Sequence, residues 1–311
     1  MSIASEITRL QGAKANLKTA IEAKGVTVGD ITLDGYAAKV AEIPTGGGNP
    51  PETPTDSLLF YSPNEIRLSV YNKTKNWNGA LYYSTDHETW TTWNGQTEIS
   101  SALSNGFHKL YLRGAGNSYI TGNSARSNGR FIISGQGIVC VGDLINLFDY
   151  AYPPSYIGQQ YALAWLFQNC GNIEFDLTMT APAQSWYALS HTFENCVAMK
   201  KILKTNYQAT MGRETYSYMY IGCISLEQLP SFQSESFANS SLISIFNGCT
   251  HIKLSTEQTG EYQTEYRIPV SGTATNTGST DNMFANTGGT FTGTPTINTT
   301  YYTSNTVIPA I

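Results

Sequence analysis

Cys170, Cys196, Cys223 and Cys249 stand 26, 27 and 26 residues apart, and the residues around them return in register. Three positions before each lies a ring: Phe167, Phe193, Tyr220 and Phe246. Immediately before each lies Asn169, Asn195, Gly222 or Gly248. Seven positions before come Leu163, Leu189, Tyr216 and Leu242, and three after come Ile173, Met199, Leu226 and Ile252. A degenerate fifth copy keeps Met283, Phe284 and Asn286, with Thr287 in the cysteine slot. Each such unit has an apolar side that it cannot bury alone, so neighbouring copies must stack to share a core. Positions −7 and −3 are four apart, which reads as one turn of a short helix. A turn at the Asn/Gly-Cys pair then leads into an extended stretch from the +3 aliphatic. The pattern predicts a solenoid over residues 141–311 with a β-rich cap near its end. Phe167, Cys170, Phe193, Cys196, Tyr220, Cys223, Phe246 and Cys249 form its inner wall, the thiols an inert buried ladder.

The other end of the chain is different. Residues 1–24 read as a helix whose apolar positions Ile3, Ile7, Leu10, Leu17 and Ile21 follow a heptad seam with one slot, Lys14, left polar. Gly12 weakens this helix and Gly25 suits its C-terminal cap. A second helix is predicted from about Asp34, with Leu33, Tyr36, Val40 and Ile43 on its apolar face and Pro44 as its stop. Either the first helix self-associates as a coiled coil or the two fold back as a hairpin; in both cases the module anchors the protein. The Gly- and Pro-dense stretch 45–57 is a linker between the attachment module 1–44 and the body.

Residues 58–140 are predicted as a small antiparallel sandwich. The segments 58–61, 66–71, 81–84, 90–93, 108–113 and 131–134 are β-branched, aromatic or alternating, and Pro63-Asn64, Asn78-Gly79, Asn94-Gly95 and Asn105-Gly106 punctuate them. The fold class is therefore α+β and multidomain: a helical anchor, a sandwich and a repeat solenoid. Ser84-Thr85-Asp86-His87-Glu88-Thr89-Trp90 nearly matches an Asp-box hairpin, a structural turn rather than a catalytic device.

Lys and Arg number 18 against 23 acids, a net charge of −5. This excludes a basic stripe for nucleic acid and a polybasic membrane-surface segment. No apolar run approaches the ~20 residues of a membrane span. The opening residues lack an apolar signal region, which predicts synthesis in the cytoplasm without secretory export. With five cysteines and no signal, a disulfide framework is not expected. His87, His108, His191 and His251 fall in no metal-binding spacing, and no metal or cofactor is predicted. Asp143, Asp149 and Glu174 have nothing to fix them as a catalytic pair. The functional hint is aromatic. Trp77, Trp90 and Trp93 with Tyr82, Tyr83 and Tyr119 crowd the β-region, and Trp165, Trp186, Tyr207, Tyr301 and Tyr302 occur in or near the repeats. Rings beside polar groups can stack on sugars or anchor protein contacts; Trp77, Trp93 and Tyr119 are the candidates for glycan contact.

The units Phe-x-Asn-Cys-x-x-Ile and Tyr-x-Gly-Cys-Ile-Ser-Leu resemble BspA-type leucine-rich repeats, with Tyr220, Gly222, Cys223, Ser225, Leu226 and Pro230 the best copy. The Tyr83-Ser-Thr-Asp-x-x-Thr-Trp90 segment is similar to one that often precedes such repeats. Residues 1–43 resemble the opening module shared by fibre and tail proteins of tailed phages. The resemblance implies a non-enzymatic virion protein on the particle surface, a head fibre or decoration or a tail fibre. It implies docking to capsid or tail proteins through the N-terminal module, homotrimeric assembly, and host-surface glycans as a partner. A bacterial surface adhesin is the alternative, and a polysaccharide depolymerase a further one.

Overall fold

The computed structural model describes residues 3–22, 28–29, 31–32, 35–36, 39, 49–125, 129–205, 207, 211–234, 236–274, 276–277 and 279–308. Residues 1–51 with 105–107 make one compact unit, and 52–104 with 108–311 make the other.

In the first unit a single helix, α1 (Ile3–Glu22), carries the predicted seam. The coiled-coil or hairpin anchor is not what forms. Ile7, Leu10 and Leu17 are exposed, and of the described helical residues Gly35, Tyr36 and Lys39 only Tyr36 is buried. Only Ile21 is buried, against Val28 and Tyr36. Lys14, the polar residue in the seam, places its ammonium 6.0 Å from the centre of the Tyr36 ring, and the Tyr36 hydroxyl reaches the Lys14 carbonyl at 3.5 Å. Among the described seam side chains the apolar stripe is thus used only at its foot. The side chain of Ile3, and Leu33, Asp34, Val40 and Ile43 of the predicted second helix, lie outside the described residues.

The second unit is mostly β. Its first eleven strands are β1 (Leu58–Ser62), β2 (Arg67–Val70), β3 (Ala80–Ser84), β4 (Thr91–Trp93), β5 (Ile99–Ser100), β6 (Ala102–Ser104), β7 (Phe107–Ala115), β8 (Phe131–Ser134), β9 (Ile138–Asp143), β10 (Ile173–Met179) and β11 (Lys204–Thr205). The larger sheet runs β11-β10-β9-β1-β7-β3-β4, with β6 also on β7; the smaller runs β5-β2-β8. Phe60, Leu81, Leu110 and Leu112 from the larger sheet meet Leu68, Val70, Ile99, Phe131 and Ile133 from the smaller in one core that continues to Tyr301.

The predicted sandwich segments lie close to these strands, but they do not close as a separate antiparallel body. β9 pairs antiparallel with β1 on one side and parallel with β10 on the other, Phe175 opposite Cys140, so the sheet becomes mixed and runs on into the first repeat. Nor do the repeats build a closed solenoid with a continuous strand ladder. Beyond β11 their strands occur only in patches: Leu229–Pro230 on Val307–Ile308, Ser236–Phe237 on Asn276–Thr277, and a four-stranded sheet around Lys253–Ser255 and Thr300–Thr303.

The repeats still stack, by another device. Between residues 161 and 170 alternate N–H groups close tight turns: Ala164 to the Tyr161 carbonyl (3.2 Å), Leu166 to Leu163 (3.1 Å), Gln168 to Trp165 (3.0 Å) and Cys170 to Phe167 (3.0 Å). The intervening N–H groups donate to the next copy: Leu163 to Ala188 (2.9 Å), Trp165 to Ser190 (3.1 Å), Phe167 to Thr192 (2.9 Å) and Asn169 to Glu194 (2.8 Å). Every fourth residue is left-handed: Tyr161, Trp165 and Asn169, then Tyr187, His191 and Asn195, then Glu214, Tyr218 and Gly222. This is a ribbon of turns, not the predicted short helix. Its period of four sets Leu163 and Phe167 on one side as a helical turn would, while half of its N–H groups remain free to join one copy to the next.

Phe167, Phe193, Tyr220, Phe246 and Phe284 stack through that core with centroids 5.6–5.8 Å apart. Each thiol donates to the carbonyl of the preceding copy's ring residue: Cys196 to Phe167 (3.1 Å), Cys223 to Phe193 (3.0 Å), Cys249 to Tyr220 (3.1 Å), and Cys170 to Phe131 of β8 (3.7 Å).

Candidate functional site

Of the rings proposed for glycan contact, Trp77 and Trp93 are 3% and 2% exposed and pack in a tilted pair, centroids 5.5 Å apart, inside the core, and Tyr119 packs against it, partly buried. Their faces are spent on one another and on Phe131. The physical reason is local: Asn94-Gly95 turns β4 back so that the Trp93 indole donates to the Thr97 carbonyl at 2.9 Å, and Trp77 covers Gly95, where an added Cβ would meet its ring at 2.8 Å.

A second aromatic set lies on the left-handed positions of the turn ribbon. Tyr161 stacks on Tyr187 (4.6 Å), Trp165 on His191 (5.8 Å) and His191 on Tyr218 (4.7 Å). A non-glycine residue in this conformation costs about 1–2 kcal/mol, and ring stacking returns about 0.5–1.5 kcal/mol. The rings hold each other's faces, and all five are half-buried. Polar partners lock them further: Tyr187 donates to Glu214 at 2.8 Å, and His191 Nδ1 lies 2.7 Å from Glu194, which also accepts from Gln168. Burial and the Glu214 carboxylate push the Tyr187 hydroxyl up to about 12. This strip is a staple between copies.

Three rings are left exposed without a stacking partner among the described residues, Tyr152 at 84%, Tyr156 at 55% and Trp186 at 50%, and the last two line cavities. Tyr156 sits in the loop that follows Tyr152-Pro153-Pro154, where consecutive prolines withhold the N–H groups a strand would need. Isolated pairing of Ile157 with Ala183 sets this loop beside the one carrying Trp186. Two cavities open here. One of about 460 Å³ is lined by Asn117, Ser118, Phe148, Pro154, Tyr156 and Gln159, among others. The other, of about 300 Å³, is lined by Tyr156, Gly158, Gln160, Gln184, Ser185 and Trp186. Both fall within the range of roughly 300–1,000 Å³ typical of ligand clefts. No charged side chain lines either one. The amides of Gln159, Gln160 and Gln184 make no hydrogen bond among the described residues, so their donors and acceptors face the opening uncommitted.

The acids considered from sequence are committed elsewhere. Asp149 accepts from the Gly116, Ala151 and Tyr152 N–H groups; burial alone would raise its carboxyl, and these bonds hold it below the usual range. Asp143 caps the turn Leu144–Leu147 and accepts from Thr180. Glu174 pairs with Lys200 at 3.1 Å on the outer face of β10. The near-Asp-box is a turn: Asp86 accepts from Ser84 Oγ and the N–H groups of Glu88 and Thr89. Ser57 and Asp56 approach the same nitrogen of His87, Nε2, at 3.3 and 2.7 Å, and Ser57 is buried. A nucleophile and an orienting acid need opposite nitrogens of one imidazole, so this cluster is a clamp on the chain before β1.

No protein-family model, curated protein or solved structure matches the chain. The phage-fibre and BspA-type resemblances therefore stand on the quoted residues. Among the described residues no group of three or more His, Cys, Asp or Glu side chains is placed to hold a metal ion, and no helix is long and apolar enough to cross a membrane. Sequence reasoning included Trp186 among the rings near the repeats but selected neither it nor Tyr156 as a site residue. The available signal was context. Tyr156 lies in a Pro/Gly-rich loop with no apolar period, and Trp186 stands ten residues before Cys196, outside the repeated positions.

Proposed function

We propose that the protein is a non-catalytic, glycan-binding structural component of a tailed-phage particle surface, head fibre or tail fibre. In this reading residues 1–43 dock to capsid or tail proteins, the chain assembles as a homotrimer, and the second unit is displayed toward the host. The observation that carries the binding function is the Tyr156–Trp186 cleft: two free ring faces among three uncommitted amides, with no charge in the lining. Sugar C–H faces stack on such rings, and sugar hydroxyls pair with amides that can both donate and accept. The particle context is supported by the sequence resemblance.

Trp186→Ala and Tyr156→Ala test the reading on an array of bacterial glycans. Each exposed ring can be removed without opening a core cavity, so binding is expected to fall about three- to tenfold with an unchanged melting temperature. Binding that survives both substitutions overturns the site. Hydrolysis of a bacterial polysaccharide by the purified chain overturns the non-catalytic role.

A further inference from the structure

We infer that the cleft reads two adjacent, uncharged sugar residues of a chain, one on each side of Tyr156, rather than a single terminal sugar. The inference rests on the glycan-binding reading above and deepens it. Tyr156 and Gly158 belong to the walls of both cavities, so the two openings adjoin at this ring as the halves of one site. Its position depends on Gly158: a Cβ there would come within 2.7 Å of the Tyr156 ring, which lies against the bare main chain.

Each half has an exposed ring and a glutamine amide in its lining. Gln159 lines the larger and its neighbour Gln160 the smaller, so successive residues send one amide to each side. The larger half adds the Ser118 hydroxyl, which already accepts from Asn78 Nδ2 and keeps its own proton to donate. Asn117 shapes that wall without reading the ligand. Its amide is consumed by the Ala80 and Leu147 carbonyls and by the Gly79 N–H. The smaller half adds Gln184, Ser185 and the second free ring, Trp186. One ring alone would satisfy a terminal sugar. Two rings with an amide beside each, sharing Tyr156 as the divider, match consecutive residues of a chain. The absence of any Lys or Arg in either lining leaves a uronate or sialate without a partner, and burying an unpaired charge is costly.

The test is calorimetric titration of the full chain with the mono-, di- and trisaccharide of each neutral sugar bound on an array, beside a uronic-acid disaccharide and a sialylated one. The expected result is a gain of about three- to tenfold from mono- to disaccharide, the size of one added stacking contact, and a plateau at the trisaccharide. Gln160→Ala, which strips the smaller half, should abolish the step, and Gly158→Ala, which displaces the Tyr156 ring that both halves share, should weaken mono- and disaccharide alike. Equal affinity for mono- and disaccharide overturns the two-residue inference and leaves the glycan reading intact. Tighter binding of the acidic chains overturns the uncharged-ligand claim. Silence toward every saccharide overturns the glycan reading itself, and with it this inference.

Discussion

Left-handed backbone governs the residue scale. The position before each repeat cysteine has a positive φ in every copy: Asn169 at 66°, Asn195 at 59°, Gly222 at 73°, Gly248 at 79° and Asn286 at 57°. Only Gly and, through local hydrogen bonding, Asn adopt this conformation cheaply, which explains why those two residues recur there. Where Asn is used it adds a bond between copies: Asn195 Nδ2 to Asn169 Oδ1 at 2.9 Å, and Asn286 Nδ2 to Asn247 Oδ1 at 3.1 Å. A Cβ on Gly248 would meet only ordinary contacts, so Gly248→Ala isolates the backbone cost. Chemical denaturation should register a loss of about 1–2 kcal/mol. The thiols beside these positions are sealed. Burial pushes Cys170 and Cys223 up to about 12, and Cys140, Cys196 and Cys249 are likewise raised. All five are free and buried.

At the scale of elements, the informative contact is where β7 meets the turn Leu144–Leu147. A Cβ on Gly114 would collide with the Leu147 carbonyl, which is backbone and cannot step aside. Asn117 accepts from the Gly79 N–H and donates to the Ala80 and Leu147 carbonyls, tying the same crossing together. Gly114→Ala should therefore destabilise the second unit by more than the ~0.5–1 kcal/mol that separates Gly from Ala in an ordinary strand, where Ala would be the favoured residue. Thermal unfolding would show a lowered midpoint; an unchanged or raised one would mean that the close approach does not matter. The strand positions were largely legible beforehand, because β-branched and aromatic runs bounded by Asn-Gly turns carry their own signal. Their pairing was not. The parallel partnership of β9 with β10 depends on where the first repeat lies in space, which no local pattern encodes. The helical reading of the −7/−3 spacing failed for a related reason: a period of four satisfies both a helix and a ribbon of turns, and only inter-copy hydrogen bonds choose between them.

For the whole molecule, a charged clamp holds the segment before β1 in place within the second unit. Arg113 donates to Asp56 at 2.8 Å and lies over the rings of Trp90 and Tyr150, 3.7 and 3.8 Å from their centres. His87 reaches the other Asp56 oxygen at 2.7 Å. Burial alone would raise the Asp56 carboxyl, but hydrogen bonds and charge from His87 and Arg113 outweigh it and hold it below the usual value of 3.8. A carboxyl whose folded value is depressed adds stability above its unfolded value and loses it as pH falls through the folded one. Asp56→Asn should therefore cost about 0.5–1 kcal/mol near neutral pH, a figure kept small because the pair is partly solvated. The gap from the unsubstituted protein should shrink below about pH 4, measured by denaturation across pH; a gap that widens with acid would contradict the clamp. The repeat period, the inward rings and thiols, and the Asn/Gly positions were all written in the chain, since burial and backbone handedness act residue by residue. The mixed sheet, the turn ribbon, the exposure of Ile7, Leu10 and Leu17 on α1 and the Tyr156–Trp186 cleft were decided only by tertiary structure. Each depends on which distant segments meet, and a ring in a sequence looks the same whether its face ends against a neighbour or against water.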